Sequence, residues 1–260
     1  MAMRMAQSRA SGERRMRLTR LYVEAPLAPG MRLELKGSAQ EHLSRVLRLS
    51  AGDPVTLFNG DGQDYHSRIN ALRRGAAALE VLAAAAARPE PPLAVNLVQG
   101  VARGERMDLV VQKATELGVA AIQPVETARS VVKLDAASRE RKRAHWAGVA
   151  AAACEQCGRA RLPRVAAPMP LGDWLAGPAQ PGLLRLQLDP EATQSLVARA
   201  AGAVSIELLV GPEGGLAQDE QDAARQTGYL PCQLGPRVLR SETATIAALA
   251  VLQATAGDLR

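Results

Sequence analysis

Two short glycine-bearing segments near the end of the chain hold the residues best suited to chemistry. Gly211-Pro212-Glu213-Gly214-Gly215 follows directly on the apolar run Ile206 to Val210, and Gly235 to Ser241 follows a second apolar stretch ending at Leu234. Glycine lacks a Cβ, so its backbone amides can approach a ligand closely. In a parallel sheet such loops lie at the carboxyl ends of strands, where ligands bind. Neither segment is a phosphate cradle. No Gly-x-Gly-x-x-Gly follows the first strand of the domain, and no glycine loop ends in Lys-Ser or Lys-Thr, which argues against nicotinamide dinucleotides and nucleoside triphosphates. A ligand gripped by amides and apolar side chains fits better, and an adenosyl group with an amino-acid tail is one of that kind.

Other chemistry-bearing patterns are weaker. Cys154-Glu155-Gln156-Cys157 is one Cys-x-x-Cys pair, with only Cys232 and three histidines elsewhere. A structural zinc site takes four ligands, and a redox pair sits at a helix start rather than its end; no metal is expected. A Gly-x-Ser-x-Gly hydrolase elbow is missing as well.

Charge points to a polyanion. The net charge is +6 over 260 residues, concentrated in two stretches: residues 1–20, with six arginines against one glutamate, and residues 138–164, with seven basic residues against two glutamates. One Phe, two Trp and three Tyr are few for a protein that stacks bases on aromatic platforms, so phosphate contacts and shape would dominate RNA recognition. No apolar run is long enough to span a membrane. The N-terminal arginines lead into no secretory apolar core. Three cysteines make no disulfide framework, and a cytoplasmic location is expected.

The elements that must position these residues fall into two patterns. Residues 1–17 read as a disordered basic leader. Residues 18–88 read as a small β-barrel: Leu21 to Val23, Met31 to Leu35, Val55 to Phe58, Tyr65 to Ile69 and Ala77 to Leu82 as strands, punctuated by Pro29-Gly30, Gly52-Asp53-Pro54 and Asn59-Gly60-Asp61-Gly62. A helix over Glu41 to Leu49 would put His42, Arg45 and Arg48 on one face. Residues 89–92, Pro-Glu-Pro-Pro, are a stiff linker. From residue 93 to 260 strands alternate with helices. Strands are expected near 93–98, 121–125, 183–188, 206–210 and 230–234; helices near 106–117, 138–157, 194–200, 218–226 and 242–254. That alternation implies a largely parallel sheet covered on both faces, so the fold class is α/β.

Four motifs, in order, resemble a known family. Val98-Gln99-Gly100 with Arg103-Gly104-Glu105-Arg106-Met107 and Gln112 to Gly118 is similar to the opening of the catalytic domain of the ribosomal RNA small-subunit methyltransferase E family, the 16S rRNA uridine-N3 methyltransferases of the SPOUT class. Ala153 to Arg159 resembles its middle motif, and Leu209 to Gly215 and Leu234 to Ala244 resemble its two cofactor loops. The resemblance implies a PUA-like N-terminal barrel that helps hold RNA, a C-terminal sheet with a trefoil knot, and a homodimer. It further implies S-adenosylmethionine as cofactor and 16S ribosomal RNA, within the small subunit, as partner.

It assigns the cofactor to Leu188, Leu209, Val210, Gly211, Pro212, Glu213, Gly214, Gly215, Leu234, Gly235, Pro236, Val238, Leu239, Arg240 and Thr243. Glu242 is a candidate general base or a helix-start charge, Arg240 a candidate stabiliser of a uridine anion or a structural ion pair, and Arg103 and Glu116 either shape the pocket or bridge loop and helix. Arg20, Arg45, Arg48, Lys133 and Arg159 are the expected phosphate contacts. The rival readings are a SPOUT enzyme acting on another RNA, another uridine atom or a ribose, and a non-catalytic RNA-binding assembly factor.

Overall fold

The computed structural model describes residues 19–130, 134–178 and 181–259. The basic leader and Lys133 lie outside the described residues. Five N-terminal strands, β1 (Arg20–Tyr22), β2 (Arg32–Lys36), β3 (Pro54–Phe58), β4 (Gln63–Arg73) and β5 (Ala76–Ala86), form a curled sheet in the order β1-β3-β4-β5-β2. β1 runs parallel to β3 and the other neighbours are antiparallel. Alternation sets the inner face: Tyr65, Ser67 and Ile69 of β4 and Ala77, Leu79 and Val81 of β5 point inward at period two. Leu43 caps that concave core.

Leu43 comes from the segment expected as a helix over residues 41–49, and the structure corrects it. A short helix, α1 (Ser38–Glu41), passes into a wider turn over His42–Val46, where the Leu47 amide donates to the His42 carbonyl. Arg48 then takes a left-handed φ of 52°. It has therefore left the helical face that carries Arg45.

The C-terminal sheet is parallel throughout. β6 (Ala94–Gly100), β7 (Ala121–Glu126), β8 (Arg164–Val165), β10 (Leu184–Leu188), β11 (Ser205–Val210) and β12 (Leu230–Cys232) lie in the order β12-β10-β11-β6-β7-β8, and β9 (Met169–Pro170) also pairs with β7. The central strands are buried on both sides and so read as continuous apolar runs. Leu97 and Leu208 face a core built with α2 (Glu105–Glu116), α3 (Ala136–Cys157) and α7 (Ser241–Ala256). Their neighbours Val98 and Leu209 face the opposite core, under α4 (Leu171–Leu175) and α6 (Gln218–Gln226). A last short helix, α5 (Leu196–Ala200), packs beside α7. β8, β9 and α4 were not expected: each is too short to show a period.

The two halves touch at the far end of α3. Phe58 and Tyr22 of the curled sheet pack on Cys154, Ala160 and Leu162. The Tyr22 amide donates to the Glu155 carboxylate at 2.9 Å, and the Gly62 amide to the Ala160 carbonyl at 3.3 Å.

Candidate active site

The carboxyl ends of β12, β10 and β11 open into a cavity of about 580 Å³. Its walls come from the segments after those strands, from the starts of α6 and α7, and from Arg129. The first wall is the loop after β11. The Gly215 amide donates to the Pro212 carbonyl at 2.8 Å, closing a tight turn in which Gly215 has φ +69°. A Cβ on Gly211 would stand 3.1 Å from the Gly215 carbonyl carbon and the Leu216 nitrogen, so a side chain there would push the folded-back loop outward by a few tenths of an ångström.

The second wall, residues 233–239, is pinned from below. Gln233 donates to Gln194 and accepts from the Leu196 amide, at 2.9 and 2.8 Å. Ser241 opens α7 and joins the two walls: its hydroxyl donates to the Gly211 carbonyl at 2.6 Å and accepts from the Gln99 side-chain amide at 3.1 Å. Thr245 completes the chain by donating to the Gln99 carbonyl oxygen at 2.6 Å. Gln99 is fully buried with its polar atoms satisfied, so it fixes the spacing between β6, the first loop and α7.

Of the expected cofactor residues, Leu188, Val210, Gly211, Pro212, Glu213, Gly215, Leu234, Gly235, Val238 and Leu239 line this cavity. Leu209 does not. Strand alternation turns it into the core beneath α4 and α6. Gly214, Pro236, Arg240 and Thr243 also stand outside the lining, and a side chain at 214 would meet the Cβ of Arg129 at 3.1 Å instead of entering the cavity.

Beside the cavity, α2 and α7 bring charges together. The Glu213 carboxylate accepts from the Arg103 amide at 3.1 Å and from Arg106 at 2.8 Å. Burial pushes the Glu213 carboxyl up, but the hydrogen bonds to its own backbone, to Arg106 and to the Arg103 amide outweigh that and hold it below the ordinary carboxylate range. The Arg106 guanidinium is raised by its bond to Glu213 and by the nearby charge of Glu242, whose Oε1 lies 3.9 Å away. The other oxygen of Glu242, Oε2, is buried without a hydrogen-bond partner. Arg240 precedes α7 as an exposed residue.

Three expected site residues are elsewhere. Glu116 ends α2 at the opposite edge of the sheet, pairs with Lys113 at 2.9 Å, and borders a separate cavity of about 220 Å³ at the linker. It cannot shape the strand-end pocket. Arg20 and Arg159 are not presented to phosphate, since each side chain is only 12% exposed. Arg20 pairs with Asp64 at 2.6 Å and lies over the Phe58 ring. Arg159 pairs with Glu90 and donates to the Thr115 carbonyl at 2.8 Å. Arg45 and Arg48 remain exposed on the curled sheet's helical turn.

Among the lining residues missed are Arg129, Gln187, Asp189, Arg237, Ser241 and two α6 glutamines, Gln218 and Gln221. Asp189 directly follows β10, and Arg129 lies three residues beyond β7, so the strand-end rule itself could have named both. Of the Cys-x-x-Cys pair, Cys154 is part of the contact between the halves, and Cys157 borders the linker cavity. Burial pushes the Cys154 thiol up to about 12, which leaves it a poor nucleophile.

A parallel sheet with this strand-end cavity, joined to a small curled sheet, defines an RNA methyltransferase: the family model for an RNA methyltransferase domain matches residues 89–253, and that for an RNA methyltransferase PUA domain matches residues 35–82. A putative methyltransferase from Legionella pneumophila, solved with bound S-adenosylmethionine, superposes with a TM-score of 0.88 at 37% identity, over 94% of this chain and 100% of that one. A ribosomal RNA small subunit methyltransferase E from Neisseria gonorrhoeae, also bound to S-adenosylmethionine, gives 0.86 at 32% identity over the same shares. The enzyme of that name from Mycobacterium tuberculosis is 34% identical over 88% of each chain. The chain belongs to the ribosomal RNA small-subunit methyltransferase E family.

Proposed function

We propose that this enzyme transfers a methyl group from S-adenosylmethionine to N3 of one uridine in 16S ribosomal RNA, acting as a cytoplasmic homodimer on the small subunit. The observation that carries this reading is the strand-end cavity whose two loops are joined through Ser241 and Gln99. Its residues suit the cofactor. Backbone at Gly211 and Gly215 allows close approach, Leu188, Val210, Leu234 and Leu239 give apolar walls, and Asp189 sits where hydroxyls can donate to it. Gln187 lines the same space with a buried carbonyl oxygen that has no partner in the protein, and a buried acceptor of this kind calls for a donor. When bound, the cofactor supplies a methyl group activated by its sulfonium charge.

The chain's own residues have two tasks. Held by amides on one side and apolar walls on the other, the donor is oriented and water is excluded. The acceptor's N3 proton must also leave, and N3 lies on the pairing edge, so the base has to be splayed out of its helix. Glu242 takes that proton in this proposal: Arg106 stands by one of its oxygens, and the other has no partner. Arg240, beside it, stabilises the uridine anion through O2 or O4. Arg45 and Arg48 are the proposed phosphate contacts on the curled sheet.

The knotted path belongs to the same proposal. After β12 at the sheet edge the chain returns to the β11 loop, where the Ser241 hydroxyl donates to the Gly211 carbonyl, and α7 packs on α2 and α5. Among the described residues no helix is long and apolar enough to cross a membrane.

The test is methylation of small ribosomal subunits with methyl-labelled cofactor, followed by nucleoside mapping. Label in N3-methyluridine is the expected result. Label on another base or a ribose would move the chemistry to another atom. RNA affinity without cofactor binding would make the protein a non-catalytic RNA-binding factor.

A further inference from the structure

We propose that Arg129 grips an RNA phosphate while holding the cofactor loop, so that binding of RNA and of cofactor strengthen each other; this rests on the methyltransferase reading above. The residue is held on a rigid turn. The Thr127 amide donates to the Ser130 hydroxyl at 3.1 Å, and the Ser130 amide returns to the Thr127 carbonyl at 3.0 Å. Between them the Ala128 amide donates to Glu220 on α6 at 2.7 Å. From this turn Arg129 reaches the glycine loop and donates to the Gly214 carbonyl at 2.8 Å. The contact is close: a Cβ on Gly214 would lie 3.1 Å from the Arg129 Cβ.

The charge of Arg129 is then left over. Arg139 pairs with Glu126 and Arg106 with Glu213, whereas among the described residues no carboxylate lies within ion-pair distance of Arg129. It is exposed at the cavity mouth with a guanidinium that has five N–H donors, one of them spent on Gly214. A planar, unneutralised fork at the mouth of a methyl-transfer cavity fits the phosphate next to the acceptor nucleotide. Arg103 stands exposed across the same loop and extends the positive lip. A phosphate that immobilises Arg129 also immobilises Gly214 and the loop around the cofactor. By linkage, a bound cofactor that orders the loop must tighten RNA by the same factor.

Calorimetry of cofactor binding, with and without a 16S fragment carrying the target, tests this. In the wild type RNA should tighten the cofactor by about fivefold or more, and the reverse titration should show the same factor. Arg129→Ala should weaken RNA, make its salt slope shallower by about one unit, and abolish the mutual tightening. Arg129 lines the cavity and holds the loop, so cofactor affinity without RNA should fall as well, but by less than the coupling factor lost with RNA present. Arg129→Lys should keep the salt slope and still lose the coupling, since a single ammonium cannot serve carbonyl and phosphate in a fixed fork. Coupling that survives in Arg129→Ala, or none in a wild type that methylates RNA, overturns the proposal. So does a large loss of cofactor affinity without RNA, which would make Arg129 a cofactor ligand. A wild type that methylates no ribosomal RNA removes the functional reading, and this proposal with it.

Discussion

A methyl group at Gly100 would lie 2.5 Å from both the ring and the nitrogen of Pro212, and 2.9 Å from the Gly211 carbonyl carbon. Backbone on both sides leaves no flexible tip to move aside, so Gly100→Ala must push the β11 loop out of register. The expected result is a cofactor affinity lower by more than about tenfold with the fold retained, read by calorimetry beside a thermal melt. An unchanged isotherm would mean that the loop adapts. In the sequence Gly100 stood just past an expected strand, inside the opening motif, with nothing to mark its neighbour 112 residues later. The glycine loops themselves were legible because their signal is local: apolar run, then glycine. Leu209 was misread for the complementary reason. Motif position cannot say which face of a strand a residue occupies, whereas strand alternation, counted from Val210 at the cavity, puts Leu209 in the core.

Among the elements, α3 shows what sequence could and could not supply. Its 22 residues, the Asp135 side chain that accepts from the Ser138 amide at its start, and the left-handed Gly158 at its end agree with a long basic helix read from composition and spacing. What its end touches was not legible, because ion pairs between distant residues leave no periodic trace. Arg159, expected on the RNA face, instead joins linker, α2 and α3 through Glu90 and the Thr115 carbonyl. Arg159→Ala leaves the Glu90 carboxylate without its donor and the Thr115 carbonyl with the Gly118 amide alone, and should destabilise the protein by about 2 kcal/mol in chemical denaturation. A phosphate contact would instead show as weaker RNA binding at unchanged stability. β8, β9 and α4 escaped for want of length.

For the whole molecule, two thiols report on integrity. Burial pushes Cys154, at the contact between the halves, and Cys232, in the sheet, each from 9.0 to about 12. Below pH 9 both are protonated, folded or unfolded, and their contribution is fully present. Between about 9 and about 12 the unfolded chain ionises them while the folded chain does not, so stability is lost as pH rises through that window. Denaturant midpoints across that range should fall, and substituting Ser for both cysteines should flatten the decline; an equal fall in the double variant would assign it to other groups.

The parallel sheet also fixes where its neighbours sit. α3 returns from the carboxyl edge to the amino edge, and at 1.5 Å per residue it is a strut of about 33 Å. The cavity opens at the carboxyl edge, where α3 starts, and the curled sheet is docked at the far end of α3. An RNA that touched both the cavity and the curled sheet would have to bridge the length of that strut.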